Sequence, residues 1–416
     1  MKESRRVFLI DDYSSSKING IGTYMTHIVY ILNTLNYEVY IIAYNYPCQT
    51  ACFKRYKNTL TLCVPILNIP IDRYFEIICY FIRLNVEDSE TNAFVFNYIV
   101  SSILLNKMKK YYIHSKFIYT IHDMSWTSFF QGDKNLFLKI GIERILSDNR
   151  YLCMRKALKC EIDMFESVDK VIALTNTTSG ILQREYGVSN PKISVIPNGI
   201  LSDISCIKKK ADCFSYINMN DKVLLFVGRV HKSKGIDALI DAFNLVTQIK
   251  KDIKLVILGA LLPNESQYSK TKNFASNIIF RGFVEKDEVN AWYRTAYMAV
   301  FPSYYEQCSY AGLEIMSHQL PVVSSNGFCV NEMFVHNNNA LIADIGDRNN
   351  PEEYVYNLKQ AMISLIDDID FSNSLARAGK IKSDTIYNIH RVSYLYKLMF
   401  VFITIEQPKL IRNIRV

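Results

Sequence analysis

The sequence predicts an α/β protein built from two doubly wound parallel-sheet domains, and three observations carry that prediction. At 416 residues the chain is long enough for two cores of ordinary size. Short apolar runs alternate with stretches of helical periodicity, first over residues 7–196 and again over 222–403. Each series opens with a strand, a loop and a helix in direct succession: Val7–Ile10 before Thr23–Leu35, and Lys222–Val227 before Ile236–Ile249.

Composition narrows the class. A hydrophobic content of 49% with 21% charged residues is that of a soluble globular protein. The formal charge of +8 favours anionic partners, either a nucleotide diphosphate or an acidic membrane surface, without separating them. Nucleic-acid binding would rest on that charge alone and is not expected. The ten cysteines show no zinc-ligand spacing, so free thiols in a reducing cytosol are expected, and Cys48 and Cys52, the closest pair, read as structural. The opening MKESRRVFLIDDY reads as a first strand and not a signal peptide. The apolar runs Tyr74 to Leu84 and Tyr394 to Ile405 are interrupted by charge or fall short of a span, so no transmembrane helix is expected.

Taken in order, strand Val7–Ile10 leads into a Ser-, Asn- and Gly-rich loop from Asp11 to Gly22, then helix Thr23–Leu35. Loop and first-turn amides in such a unit point at an anion, although Gly20-Ile21-Gly22 lacks the third glycine of the dinucleotide fingerprint and could be a turn. Val39–Ala43 is a second strand, and residues 45–73 carry no confident pattern. Strands Ala93–Asn97 and Phe117–Ile121 flank a helix, Ser101–Lys110. That helix ends in Lys107, Lys109 and Lys110 beside Tyr111 and Tyr112, which reads as cations complementing a helix carboxyl end, or as a lipid-headgroup contact. His122-Asp123 follows at a strand's carboxyl end, where open α/β sheets bind ligands. Helical sequence over Phe137–Ser167, strand Lys170–Leu174, helix Thr177–Tyr186 and strand Lys192–Ile196 complete the first half. A polar stretch, Asp203 to Asp221, reads as the linker.

In the second half, strand Lys222–Val227 runs into Gly228-Arg229-Val230-His231-Lys232-Ser233-Lys234-Gly235. A planar guanidinium and a point-charge ammonium in one loop beside a helix start suit a diphosphate, while the plainer reading is two exposed surface cations. Strands Lys254–Leu258 and Ile278–Arg281 follow, then helix Lys286–Thr295. Strand Met298–Phe301 feeds a loop with Glu306, a helical segment from Tyr310 to Met316 with Glu314, and strand Pro321–Val323. Glu314 lies among Ala311, Leu313, Ile315 and Met316, a setting in which a carboxylate needs a partner. Helices over Glu352–Ile366, Phe371–Ser383 and Ile389–Ile403 close the chain. Asp368-Ile369-Asp370 falls between two of them and reads as a solvated turn rather than a metal-holding Asp-x-Asp.

The pattern P-S-x-x-E, seven residues, E-x-M, then P-V-V, made by Pro302, Ser303, Glu306, Glu314, Met316, Pro321, Val322 and Val323, resembles the signature of the retaining glycosyltransferases of family 4. Those enzymes have the GT-B fold, two Rossmann-like domains facing each other across a cleft. Gly228 to Gly235 matches the family's G-R-x-x-x-x-K-G at every fixed position, and Ile196-Pro197-Asn198-Gly199-Ile200 is similar to its interdomain motif. The resemblance implies an acceptor-binding domain over residues 1–200, a nucleotide-sugar domain over 201–387, and a helix within 388–416 that crosses back onto the first domain.

It also implies a site. Arg229 and Lys234 neutralise the departing diphosphate, Glu306 contacts the donor sugar, and His122 meets that sugar from the opposite domain. Glu314 holds the ribose, Gly282 and Phe283 lie by the base, and Gly20, Gly22, Asn198, Gly228, Ser309 and Tyr310 complete the donor contacts. The implied donor is a UDP- or GDP-linked sugar, with no cofactor and no metal. The implied acceptor is a glycan, lipid-linked glycan or other glycoconjugate, met in the cytoplasm or peripherally at the inner face of the membrane. One departure stands out: where the family carries glycines after the first glutamate, this chain has Gln307, Cys308 and Ser309. Two other readings stay open, a non-catalytic nucleotide-sugar-binding protein and a nucleotide-sugar 2-epimerase on the same fold.

Overall fold

The computed structural model describes residues 5–16, 20–98, 101–201, 217–218, 220–260 and 277–405, so most of the expected linker lies outside the described residues. The chain divides into two compact units. The first comprises Met1–Phe129, Asn135–Gly199 and Ile389–Val416, and the second Ile200–Asn388 with the short segment Phe130–Lys134. That segment joins the second unit because Arg348 donates to the Gln131 carbonyl at 2.7 Å and reaches the Asp133 carboxylate.

The first unit is organised by an eight-stranded sheet. Its strands are β1 (Arg6–Asp12), β2 (Glu38–Tyr46), β3 (Cys52–Tyr56), β4 (Thr59–Pro65), β5 (Asn92–Phe96), β6 (Lys116–Ile121), β7 (Lys170–Ala173) and β8 (Ile193–Val195). They lie in the order β3-β4-β2-β1-β5-β6-β7-β8, parallel throughout except for the β3–β4 pair. Strands covered on both faces read as unbroken apolar runs, as in β5, where every residue is buried. Phe94 stacks on Phe8 at 4.9 Å and on Phe117 at 5.6 Å, tying three neighbouring strands together. The helix Gly20–Thr34 buries Tyr24, Met25, Ile28, Val29, Ile31 and Leu32. The helix Ile389–Ile405 from the end of the chain packs on it, with the Tyr396 hydroxyl 3.2 Å from that of Tyr24.

Three expectations for this unit need correction. Asp11 and Asp12 belong to β1, and Gly20 and Gly22 open a helix instead of lying in a loop. The region 45–73, left without pattern, holds the β3–β4 hairpin and the start of a helix, Ile71–Asn85. The run 137–167 is interrupted where Gly141 takes φ +76° and again around Asp148, which caps the following turn by accepting from the Arg150 amide.

The second unit has a six-stranded sheet of β9 (Lys222–Val227), β10 (Ile253–Leu258), β11 (Ile278–Gly282), β12 (Met298–Phe301), β13 (Val322–Ser325) and β14 (Leu341–Ala343), the last not anticipated. All its pairings are parallel, in the order β11-β10-β9-β12-β13-β14. Helices Ile236–Thr247 and Pro351–Asp367 cover one core, in which Phe243 and Leu358 join Leu224 and Val300 of the sheet. Direction of winding reverses between β9 and β12, and loops leaving such a pair diverge to either side of the sheet and open a crevice at its carboxyl edge.

Candidate active site

The crevice at β9 and β12 holds the charged residues expected from the sequence. Gly235 follows the β9 loop with φ +69°, and a Cβ there would stand 2.1 Å from the Pro302 carbonyl oxygen. That approach, which a side chain would block, brings the β9 and β12 loops together. Tyr304 then donates its amide to the Ser233 carbonyl at 2.9 Å. The Lys234 ammonium consequently meets Glu306 Oε1 at 2.6 Å, with the two side chains 17% and 11% exposed. Ser303 Oγ donates to the same carboxylate oxygen at 2.9 Å, and the Glu306 amide is held by the Phe328 carbonyl. Arg229, earlier in the β9 loop, is exposed, and among the described residues no carboxylate pairs with it.

Glu314 sits on the helix Tyr310–Ser317 and is 9% exposed. The partner its apolar setting demands is Lys286, the first residue of the helix Lys286–Thr295. Gly282 closes β11 with φ +71°, and Phe283 beyond it is 73% exposed, a large apolar ring held in solvent. Tyr310 is buried at the start of its helix, and Ser309 precedes it as a partly exposed cap residue. Gln307 and Cys308, which stand where the family carries glycines, are both buried, 5% exposed each. Gly228 donates its amide to the Leu258 carbonyl, so it links β9 to β10.

His122, Gly20, Gly22 and Asn198 belong to the first unit. Asn97 directly follows β5, and its side-chain amide nitrogen donates to the Ile10 carbonyl at 3.2 Å. This leaves Asn97 Oδ1 to accept from His122 Nε2, also 3.2 Å away, so the imidazole proton is on Nε2 and Nδ1 carries the lone pair. Desolvation pushes the His122 pKa down to about 3, and the ring is neutral at ordinary pH. The Tyr24 ring meets it edge-on at 4.4 Å, which sets the glycine-opened helix against His122. Gly22 is required for close approach: a Cβ would lie 2.2 Å from the Ser16 carbonyl oxygen. Asn198 is buried, 6% exposed.

Sequence reasoning passed over Asn97, Lys286 and the role of Ser303. Asn97 had a usable signal, its place at a strand's carboxyl end. Lys286 had none, because it meets Glu314 only through the packing of two helices. The cationic end near Lys107 resolves toward local partners: Lys107 pairs with Asp72 and Glu76, Lys109 donates to the Ser167 carbonyl, and Tyr112 is buried. Asp368 caps the helix Ile369–Ile386 by accepting from the Phe371 amide. Among the described residues no helix is long and apolar enough to cross a membrane.

Two sheets of this order and winding define a GT-B protein, and solved structures agree in fold. A sucrose-phosphate synthase from Thermosynechococcus elongatus superposes with a TM-score of 0.74 at 17% identity, over 95% of this chain and 99% of that one. HepE of Anabaena in complex with UDP-glucose gives 0.68 at 14% identity, over 95% and 100%. Residues 18–203 match the family model described as Glycosyltransferase Family 4, and residues 221–368 that of Glycosyl transferases group 1. The chain belongs to glycosyltransferase family 4. The uncharacterized glycosyltransferase YqgM of Bacillus subtilis is 32% identical over 186 residues, 44% of this chain and 48% of that protein. The chain thus matches about half the length of the curated relatives it resembles.

Proposed function

We propose that this protein transfers a sugar from a nucleoside-diphosphate donor to an acceptor hydroxyl with retention of anomeric configuration. The observation that carries the reading is the Lys234–Glu306–Ser303 cluster at the crevice where winding reverses, with Arg229 exposed in the same loop. The barrier in such a transfer lies in the leaving diphosphate and the positive charge left on the sugar, so fixed charges dominate catalysis. Arg229 offers a fork of donors to the diphosphate. Lys234 spends one of its three N–H groups on Glu306 and keeps two for a phosphate oxygen. Glu306, oriented by Ser303, faces the sugar and its developing charge.

In this reading Glu314 exchanges its Lys286 partner for the ribose hydroxyls, Phe283 covers the base, and neutral His122 accepts a sugar hydroxyl at Nδ1. First-turn amides at Gly20 and Gly22 supply donors to the diphosphate from a helix start. Two cations take the neutralising role, so we propose transfer without a metal. UDP is the favoured nucleotide because HepE, of the same fold, was solved with UDP-glucose. A glycan acceptor, lipid-linked or otherwise, met in the cytoplasm or at the inner membrane face, suits a chain of net charge +8.

The test is incubation with a panel of UDP- and GDP-sugars, with and without glycan acceptors, followed by NMR of the products. The reading expects nucleotide diphosphate release and a product that keeps the donor's anomeric configuration, unaffected by chelator. An inverted product, or an epimerised donor formed without acceptor, would overturn it.

A further inference from the structure

Three residues beyond His122 the chain is fastened to a group with no role in the mechanism above. Glu161, on the helix Leu152–Ser167, is fully buried. Its Oε1 accepts the Ser125 amide at 3.0 Å, and its Oε2 accepts Ser125 Oγ at 2.7 Å and the Tyr186 hydroxyl at 2.5 Å. Ser125 opens the helix Ser125–Phe129, and only Asp123 and Met124 separate it from His122. Asp123 turns the chain between them, its Oδ1 taking the Met124 amide at 2.9 Å and Thr127 Oγ1 at 2.6 Å. His122 follows directly on β6, so the link that carries its ring is held by the sheet on one side and by Glu161 on the other.

A neutral amide could fill this position sterically, whereas a buried carboxylate is costly. Burial raises the Glu161 pKa to about 7, against the lowering effect of its Tyr186 and Ser125 hydrogen bonds. The titratable groups facing it are Asp123, Tyr119 and Tyr186. Three donors converge on two oxygens, which suits the ionised, acceptor-only form.

We propose that Glu161 is a positioning residue for sugar transfer: its ionised carboxylate fixes Ser125, and through the link Asp123–Met124 it sets the direction in which His122 presents Nδ1. This rests on the transferase reading, with His122 at the transferred sugar. Loss of the carboxylate leaves donor binding by the second unit intact and misdirects His122, so the effect falls on kcat. Tyr186 donates to the same carboxylate from outside the segment 122–125 and helps hold its pKa down. Its loss therefore moves the pH at which Glu161 ionises without removing the Glu161–Ser125 bonds, an effect that simple support of the core would not produce.

The experiment measures kcat, donor KM and the pH profile for the full chain and for Glu161→Gln, Ser125→Ala, Tyr186→Phe and His122→Ala. Expected are kcat values about tenfold down for Glu161→Gln and Ser125→Ala with donor KM within twofold, and for Tyr186→Phe a wild-type kcat on the high-pH plateau. The wild type is expected to lose kcat as pH drops through about 7, with that limb absent from Glu161→Gln and moved to higher pH in Tyr186→Phe. Should Glu161→Gln fail to fold, Ser125→Ala, which keeps the backbone bond, carries the test against Tyr186→Phe. If His122→Ala loses activity while Ser125→Ala keeps wild-type kcat, the inference is overturned and the transferase reading stands. No turnover by the wild type with any donor overturns both.

Discussion

Replacing Lys234 by methionine removes the ammonium and strands the Glu306 carboxylate with Ser303 as its remaining donor. At the observed N–O separation of 2.6 Å, the gross attraction is roughly 6 kcal/mol for an effective dielectric of about 20. Desolvating both ions cancels much of that, and breaking a fully buried pair typically costs about 3–5 kcal/mol. With Lys234 and Glu306 side chains 17% and 11% exposed, water reaches the survivor and the expected loss falls to about 2–3 kcal/mol. For a unit of this size that corresponds to a melting temperature lower by roughly 5–10 °C. Lys234→Met/Glu306→Gln should recover most of it, since neither charge is left stranded, giving a coupling of about 2 kcal/mol. Calorimetric melting of the four proteins at neutral pH closes the cycle. Strictly additive losses, with coupling under about 0.5 kcal/mol, would refute the energetic pairing of Lys234 with Glu306.

Other perturbations have equally definite outcomes. Gly235→Ala places a Cβ 2.1 Å from the Pro302 oxygen at φ +69° and should cost more than about 3 kcal/mol, whereas Gly187→Ala, at φ +66° with nothing within 4 Å, should cost about 1 kcal/mol; comparative melting decides. Glu161 has its folded pKa raised from 4.5 to about 7, so its stabilising contribution is full below the unfolded value and is lost as pH rises through 7. Urea midpoints at pH 5.5 and 8 should fall for the wild type and stay flatter for Glu161→Gln, which becomes the more stable of the two at pH 8. Lys286→Ala leaves the 9%-exposed Glu314 unpaired and should lower stability by about 1–2 kcal/mol, with Lys286→Ala/Glu314→Gln regaining it in the same assay.

How far the sequence reveals this molecule varies with the physics at each position. Strands buried on both faces are unbroken apolar runs and were legible almost to the residue, as at Lys222–Val227 and Met298–Phe301. The β3–β4 hairpin was not, because Lys57 and Asn58 both take left-handed φ, +51° and +60°, in a two-residue turn where the first position carries a lysine rather than the usual Asn, Asp or Gly. The strand Leu341–Ala343 is too short for any periodicity to show. Gly20 and Gly22 looked like loop glycines, yet Gly22 is there for the Ser16 carbonyl that presses on a helix start. In the site, Arg229, Lys234, Glu306 and Glu314 could be picked out because their strings are local. Lys286 and Glu161 could not, since each finds its role with a residue 28 or 36 positions away, across packed elements.

The claim on which the rest depends is that the second unit holds a diphosphate between Arg229 and Lys234. Isothermal titration of UDP into the wild type and into Arg229→Ala/Lys234→Ala tests it directly. Two charge-assisted contacts at about 1.5–3 kcal/mol each predict that the double variant binds at least a hundredfold more weakly. Equal affinity in the two proteins would contradict the account.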